Sequence, residues 1–211
     1  MDRRDDGHAR VVKLVLATRN TDKIREISLI LCDLPVEFRS LSDFPEAPEV
    51  EEDGATFEEN ALKKAGSACA HTQEVALAED SGLLVEWLKG APGLFSSRFA
   101  GENVNYKENN AKLLSALKGV APEKRTAVFV CVVALCVPGR RLKTFRGACK
   151  GRISLEPRGS SGFGYDPLFE VPEYGKTFAE LGEALKNRIS HRAIALSKAR
   201  IYLMRLLESG L

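Results

Sequence analysis

The stretch Phe163-Gly164-Tyr165-Asp166-Pro167 puts two aromatic rings and a carboxylate in a glycine-rich segment, and Lys186 and Ser190-His191-Arg192 follow with hydrogen-bond donors. Aromatic rings stack on a planar heterocycle, while His, Lys and Arg donate to its oxygen atoms. Upstream, Thr18-Arg19-Asn20-Thr21-Asp22-Lys23 joins an apolar run to a helical pattern. Free backbone N–H groups and the positive end of a helix dipole meet at such a junction, which favours phosphate, and Lys23 adds a point charge. Glu79-Asp80-Ser81-Gly82 supplies adjacent carboxylates that alternate between the faces of a strand, so one of them enters a site. Oxygen donors without a His/Cys cluster suit Mg²⁺, with help from the acidic loop Glu49, Glu51, Glu52 and Asp53. The whole set suits a nucleotide.

Taken singly, each element has a plainer explanation. T-x-N-x-x-K also describes a capped helix with a solvent lysine, and an acidic dipeptide is commonly strand-end charge in water. A glycine-rich stretch can be a flexible surface loop, His191 a cap, and Lys186 plain surface charge. Three familiar motifs are excluded. No G-x-x-x-x-G-K-[ST] occurs, Gly159 to Gly164 lacks the order and preceding strand of a dinucleotide fingerprint, and Asp80-Ser81-Gly82 is no nucleophile elbow.

The elements that position these residues follow from pattern. Val11 to Ala17 is a short apolar strand, after which Ile24, Ile27, Leu31 and Leu34 recur at helical spacing behind an Asn20 or Thr21 cap. Val36 to Leu41 is a second strand and Ser42 to Gly54 a polar loop. Phe57 to Cys69 is helical; Glu74 to Ala78 is a short strand that turns at Asp80-Ser81-Gly82 into a further apolar run, Leu83 to Trp87. Gly90 to Gly101 is a loop and Val104 to Leu117 a helix. Thr126 to Val137 and Arg141 to Cys149 form an antiparallel hairpin, with the option of a second lobe. Glu156 to Pro172 is a loop. The chain ends in a helix from about Ser190, with Ile194, Ile201, Met204 and Leu207 as its buried stripe. Strands and helices mix without strict β-α-β alternation, which predicts an α/β fold with a mixed twisted sheet and flanking helices.

Composition narrows the class. At 211 residues and 44% hydrophobic content the chain can bury a sizeable core. Lys+Arg 31 against Asp+Glu 29 gives a net charge of +2, without the field or basic aromatic stripe of a nucleic-acid binder. Its apolar runs fall short of the roughly 20 residues of a membrane span. Met1 to Arg10 is charged, without the apolar core of a secretory signal, and reads as a disordered extension before one domain at 11–211. Five cysteines, Cys32, Cys69, Cys131, Cys136 and Cys149, in no C-x-x-C pair, read as reduced core thiols; a cytoplasmic location is expected.

Five blocks in order, LATRNTDKIREI (16–27), EEDGATFEENALKKA (51–65), AEDSGLLVEWLKGAPGLFSSRFAG (78–101), GFGYDPLF (162–169) and ISHRAIAL (189–196), resemble the inosine triphosphate pyrophosphatase family. The resemblance implies two lobes around a central cleft, a homodimer, and Mg²⁺-dependent hydrolysis of ITP, dITP and XTP to monophosphate and pyrophosphate. It implies Asp80 as proton acceptor and metal ligand, Glu51 as second metal ligand with Glu52 its rival, and Thr18 through Lys23 with Lys64 as phosphate contacts. Ser81 is implied as a substrate contact, Phe163, Gly164, Tyr165 and Asp166 as the base loop, and Lys186, His191 and Arg192 as further nucleotide contacts. Arg19 departs from a position where many relatives carry a small residue, and Glu79 from one where many carry Asp. The alternatives are a Maf-type nucleotide pyrophosphatase, against which the SHR and FGYDP blocks stand, and a non-catalytic nucleotide-binding regulator, against which the acidic residues stand.

Overall fold

A computed structural model describes residues 11–211; the extension expected over residues 1–10 lies outside the described residues. The chain runs β1 Val12–Leu16, α1 Thr21–Ile30, β2 Val36–Ser40, α2 Phe57–Thr72, β3 Val75–Val85, α3 Tyr106–Ala116, β4 Thr126–Cys136 and β5 Lys143–Ile153, then β6 Phe169–Val171, β7 Lys176–Thr177, α4 Phe178–Leu181, α5 Glu183–Ile189 and α6 His191–Glu208. One seven-stranded sheet carries the order β2-β1-β3-β4-β5-β6-β7. β1 is parallel to β2 and β3, and the remaining neighbours are antiparallel. The mixed sheet with flanking helices is as expected, and the β4–β5 hairpin forms its centre rather than a lobe of its own.

Strand alternation sorts the core. Leu77 of β3 and Cys131, Val133 and Leu135 of β4 pack with Ile27 and Leu31 of α1 and Ala195, Leu196, Ala199 and Leu203 of α6. The intervening residues, Ala76 and Ala78 with Val132, Ala134 and Cys136, pack against Ala61, Ala65, Ala68 and Cys69 of α2. Farther along the first face, Leu83, Val85, Ala127 and Phe129 meet Leu113 of α3 and Phe169 and Phe178 in a separate apolar cluster. Two apolar cores thus share one sheet face, and the polar positions Glu79 and Ser81 of β3 fall between them. That interval is the cleft.

The turn expected at Asp80-Ser81-Gly82 is absent: β3 runs unbroken through it, pairing Glu79 with Val133, Asp80 with Val132, Ser81 with Cys131 and Gly82 with Val130. Turn preference is overridden because β4 supplies a complete ladder partner. The carboxylates therefore stand in mid-strand, not at a strand end. The stripe of α6 is only partly as expected, since Met204 and Leu207 pack partly buried against the core but Ile201 does not. Ile201 is 53% exposed, while Arg192, Ala195, Leu196, Ala199, Leu203 and Leu206 are buried, because small alanines face the sheet and let the helix lie close. β5 matches them with Gly147, where an added Cβ would overlap the His191 carbonyl and the Ala195 amide. Cys32 is exposed, a correction to its reading as a core thiol; the other four cysteines are buried. No helix among the described residues is long and apolar enough to cross a membrane.

Gly147→Ala should force α6 off the sheet and lower stability by about 1–3 kcal/mol, the usual cost of overpacking. Urea unfolding checks this, and an unchanged midpoint contradicts the close approach.

Candidate active site

Three capped helix starts converge on the cleft. The Asn20 side chain accepts from the Lys23 amide at 3.1 Å and Thr18 Oγ1 accepts from the Asn20 amide at 3.1 Å, fixing the β1–α1 junction. Thr56 caps α2, accepting from the Glu59 amide at 3.1 Å, and so sets the helix that carries Asn60 and Lys64. Fully buried Ser190 caps α6 through the Ala193 amide at 3.1 Å, which places His191 and Arg192 in its first turn. Each cap satisfies a donor that the helix itself cannot.

An alternating chain of charges connects these elements. Asp166 accepts from Lys186; Lys186 Nζ also meets Glu26 Oε1 at 2.6 Å; Glu26 Oε2 takes Arg192 Nη1 at 2.5 Å. Glu79 accepts Arg192 Nε and Nη2 at 3.1 Å each, and its Oε1 lies 2.8 Å from Lys23 Nζ. Lys23 is the one member of the six at the rim, with 21% of its side chain exposed. Burial opposes charge on Glu79, but Arg192 and Lys23 outweigh it and hold the carboxyl well below its ordinary range. Burial likewise opposes the Lys23 ammonium, and Glu79 holds its pKa above the ordinary value.

Asp80 faces the other side of β3. Its Oδ1 meets Lys64 Nζ at 3.1 Å and its Oδ2 accepts from Asn60 at 3.3 Å, while Lys64 Nζ also meets Glu52 Oε1 at 2.7 Å. Burial and then the neighbouring Glu52 push the Asp80 carboxyl up, against the pull of Lys64 and Lys23. Glu52 stays below its ordinary range, since Lys64 outweighs its burial.

Two cavities flank this strand. The first is lined by Asn20, Lys23, Ser81, Phe163, Gly164, Tyr165, Asp166, Lys186, His191 and Arg192, joined by Tyr106 and Phe129. Its walls are aromatic. Phe163 lies over Lys186 (4.7 Å) and Arg192 (5.4 Å), and His191 stacks on Phe129 at 4.5 Å with an 8° interplanar angle. Burial holds His191 well below its ordinary pKa, so the imidazole is neutral, and its buried Nδ1 has no partner. The second cavity is lined by Thr18, Arg19, Lys23, Glu49, Glu52, Lys64 and Glu79. Lys23 belongs to both.

With this arrangement in view, one comparison decides kinship: the Ham1 family pattern matches residues 14–202. The chain belongs to the Ham1 family. A protein named dITP/XTP pyrophosphatase from Geobacter sulfurreducens is 55% identical over 193 residues, spanning 92% of this chain and 97% of its own. Another of that name, from Desulforamulus reducens, is 54% identical over 195 residues with the same coverage. Among solved structures, a HAM1 protein from Coxiella burnetii superimposes with a TM-score of 0.84 at 42% identity, covering 92% of this chain and 100% of that one.

Within this Ham1 chain most expected site residues lie together, and a few do not. Thr21 is exposed at the helix start and Glu51 is exposed outside both cavities, whereas its neighbour Glu52 turns inward to Lys64. Asp22 borders a further pocket, which Phe163 also lines. Arg19 is exposed at the second cavity, where its Nη2 donates to the Ala47 carbonyl at 3.1 Å. Tyr165 serves the far core: it is buried and donates to the Ser96 carbonyl at 2.9 Å. Asp166 shapes the loop by accepting the Phe163 amide at 2.9 Å, and Gly162, at φ +77°, leaves room for its carboxylate.

Sequence reasoning misses Glu26, Asn60 and Tyr106, and it gives Glu79 no contact to Arg192 or Lys23. For Glu26 a signal exists: a carboxylate beside Ile27 on the buried side of α1. As for a divalent cation, Asp80 and Glu52 are hard oxygen donors that converge on one ammonium. That donor set fits Mg²⁺, which takes one or two carboxylates and completes its shell with water and substrate oxygens. Among the described residues no group of three or more His, Cys, Asp or Glu gathers to hold a metal ion.

The raised pKa of Asp80 means that its charge is disfavoured in the fold relative to the unfolded chain, at every pH above the raised value. Removing that charge should stabilise. Asp80→Asn should therefore melt higher than the parent at pH 7 without divalent cations, and the gap should close as pH falls towards 3.8, the ordinary Asp value. Calorimetry across that range checks it; a lower melting temperature at pH 7 contradicts the assignment.

Proposed function

We propose that this protein hydrolyses deaminated purine nucleoside triphosphates, ITP, dITP and XTP among them, to the monophosphate and pyrophosphate, removing them from the nucleotide pool. The observation that carries this reading is the state of Arg192. Of its five N–H groups, one goes to Glu26, two to Glu79 and a longer one, 3.4 Å, to Ser81. A guanidinium held this way on the wall of an aromatic cavity can only donate. Hypoxanthine and xanthine present an acceptor oxygen at position 6, and adenine presents a donor that opposes it. Neutral His191, with its free Nδ1, can donate or accept beside it, and Phe163 supplies a face for stacking. A site built around one buried polar group rejects its mismatch strongly, because the mismatch leaves that group unpaired.

The phosphates would then extend past Lys23 into the second cavity, where Lys23, Lys64 and Thr18 offer donors to their oxygens. Asp80 is the proton acceptor for the attacking water. Its raised pKa makes it a stronger base than an ordinary carboxylate, and Asn60 and Lys64 orient it from both oxygens. Mg²⁺, held by Asp80 and by Glu52 rather than Glu51, would supply charge neutralisation on the phosphate oxygens and a more acidic water.

A homodimer fits the exposed Trp87 (51%) and Phe95 (58%) on the turns that follow β3. A cytoplasmic location fits the nucleotide pool on which the enzyme would act. The Maf-type and regulatory readings are disfavoured by the names of the relatives and by the presence of both the base wall and the acidic pair.

Purified protein with Mg²⁺ and equal ITP, XTP, dITP, GTP and ATP should give monophosphate and pyrophosphate from the first three, with ATP nearly untouched, in chromatographic product analysis. In the same assay Arg192→Ala should collapse the ITP:ATP ratio. Diphosphate plus phosphate as products, or an unchanged ratio in the variant, contradicts the reading.

A further inference from the structure

We propose that Glu79 is a positioning residue that couples recognition of the base to the hold on the phosphates, so that a correct purine raises turnover as well as affinity. The inference rests on the function proposed above and concerns the same site. Glu79 borders the second cavity, but its carboxylate oxygens are taken by protein donors rather than left to a substrate. It stands at mid-strand in β3, 4% exposed, with all its acceptor capacity engaged: Arg192 Nε and Cys131 Sγ on Oε2, Arg192 Nη2 and Lys23 Nζ on Oε1. One carboxylate thus holds the donor-only guanidinium on the wall of the base cavity and, through Oε1, the single ammonium that lines both cavities.

The bidentate contact makes the two ends move together. A planar guanidinium bound through two N–H groups fixes the plane of the carboxylate opposite it. That plane sets the direction in which Oε1 holds Lys23. A 6-oxo purine takes an Arg192 N–H without turning the guanidinium, so Lys23 stays aimed at the phosphates. A 6-amino purine opposes the same N–H, turns the guanidinium, and carries Glu79 and Lys23 away from the position that phosphate charge requires. Glu26 holds Arg192 from the other edge at 2.5 Å, so the motion is directed towards Glu79.

The test is steady-state kinetics of the full-length protein with ITP and ATP, on the parent, Glu79→Gln and Lys23→Met. Glu79→Gln should lower kcat for ITP about tenfold, with KM for ITP and kcat for ATP changed less than about threefold. Glu79→Asp, which keeps the charge, should recover part of the loss. A purely structural residue would instead lower both substrates by one factor, and that result overturns the proposal. Should Glu79→Gln fail to fold, Lys23→Met gives the answer alone, since the lysine is partly exposed. Coupling requires that it cost ITP about tenfold more in kcat than ATP, and equal costs overturn it. Failure of the parent protein to release pyrophosphate from ITP would be a separate result, against the proposed function itself.

Discussion

The buried alternation Asp166, Lys186, Glu26, Arg192, Glu79, Lys23 is the constraint on which the rest of the site depends. It ties the base loop, α5, α1, α6 and β3 into one arrangement. Charges with so little solvent are costly, and such networks are poor sources of net stability. Their effect is conditional: removing one member takes a partner from a buried charge on each side of it, so alternative packings of these segments are penalised. The chain therefore specifies geometry. It ends at the only member with appreciable exposure, the lysine at the junction of the two cavities, where an unneutralised phosphate can compete for it.

Strand parity divides the labour on either side of that chain. Glu79 and Asp80 are consecutive, so their side chains leave opposite faces of β3. One meets α1 and α6, the other α2. The carboxylate that holds Arg192 and the carboxylate that meets Lys64 are thereby adjacent in sequence and held by the central strands of the sheet, where β3 pairs with β4 over ten residues. A rigid strand holds such a relation more closely than loops can.

Much of this arrangement is legible in the amino-acid sequence. The β1–α1 junction is readable because its cap residues and apolar spacing are local signals, and the β4–β5 hairpin because a long β-branched run admits little else. What the sequence hides is set at long range. Asp80-Ser81-Gly82 carries turn-forming residue types, but ladder bonds to β4 outweigh that preference. Side-chain size shows only part of the α6 stripe, since its most buried residues include Ala195, which lies against Gly147, and Ala199. Glu26 cannot be paired with Arg192 from sequence, since 166 positions separate them. Glu51 and Glu52 differ only in the direction they face, which an irregular loop does not encode.

In the proposed function, Asp80 activates water for attack on the phosphorus nearest the base. Single-turnover hydrolysis of ITP in ¹⁸O-labelled water, read by mass spectrometry of both products, tests it most directly. The label is expected in the monophosphate, with the pyrophosphate unlabelled. Label in the pyrophosphate would mean attack at the second phosphorus and would contradict the placement of Asp80 as its proton acceptor.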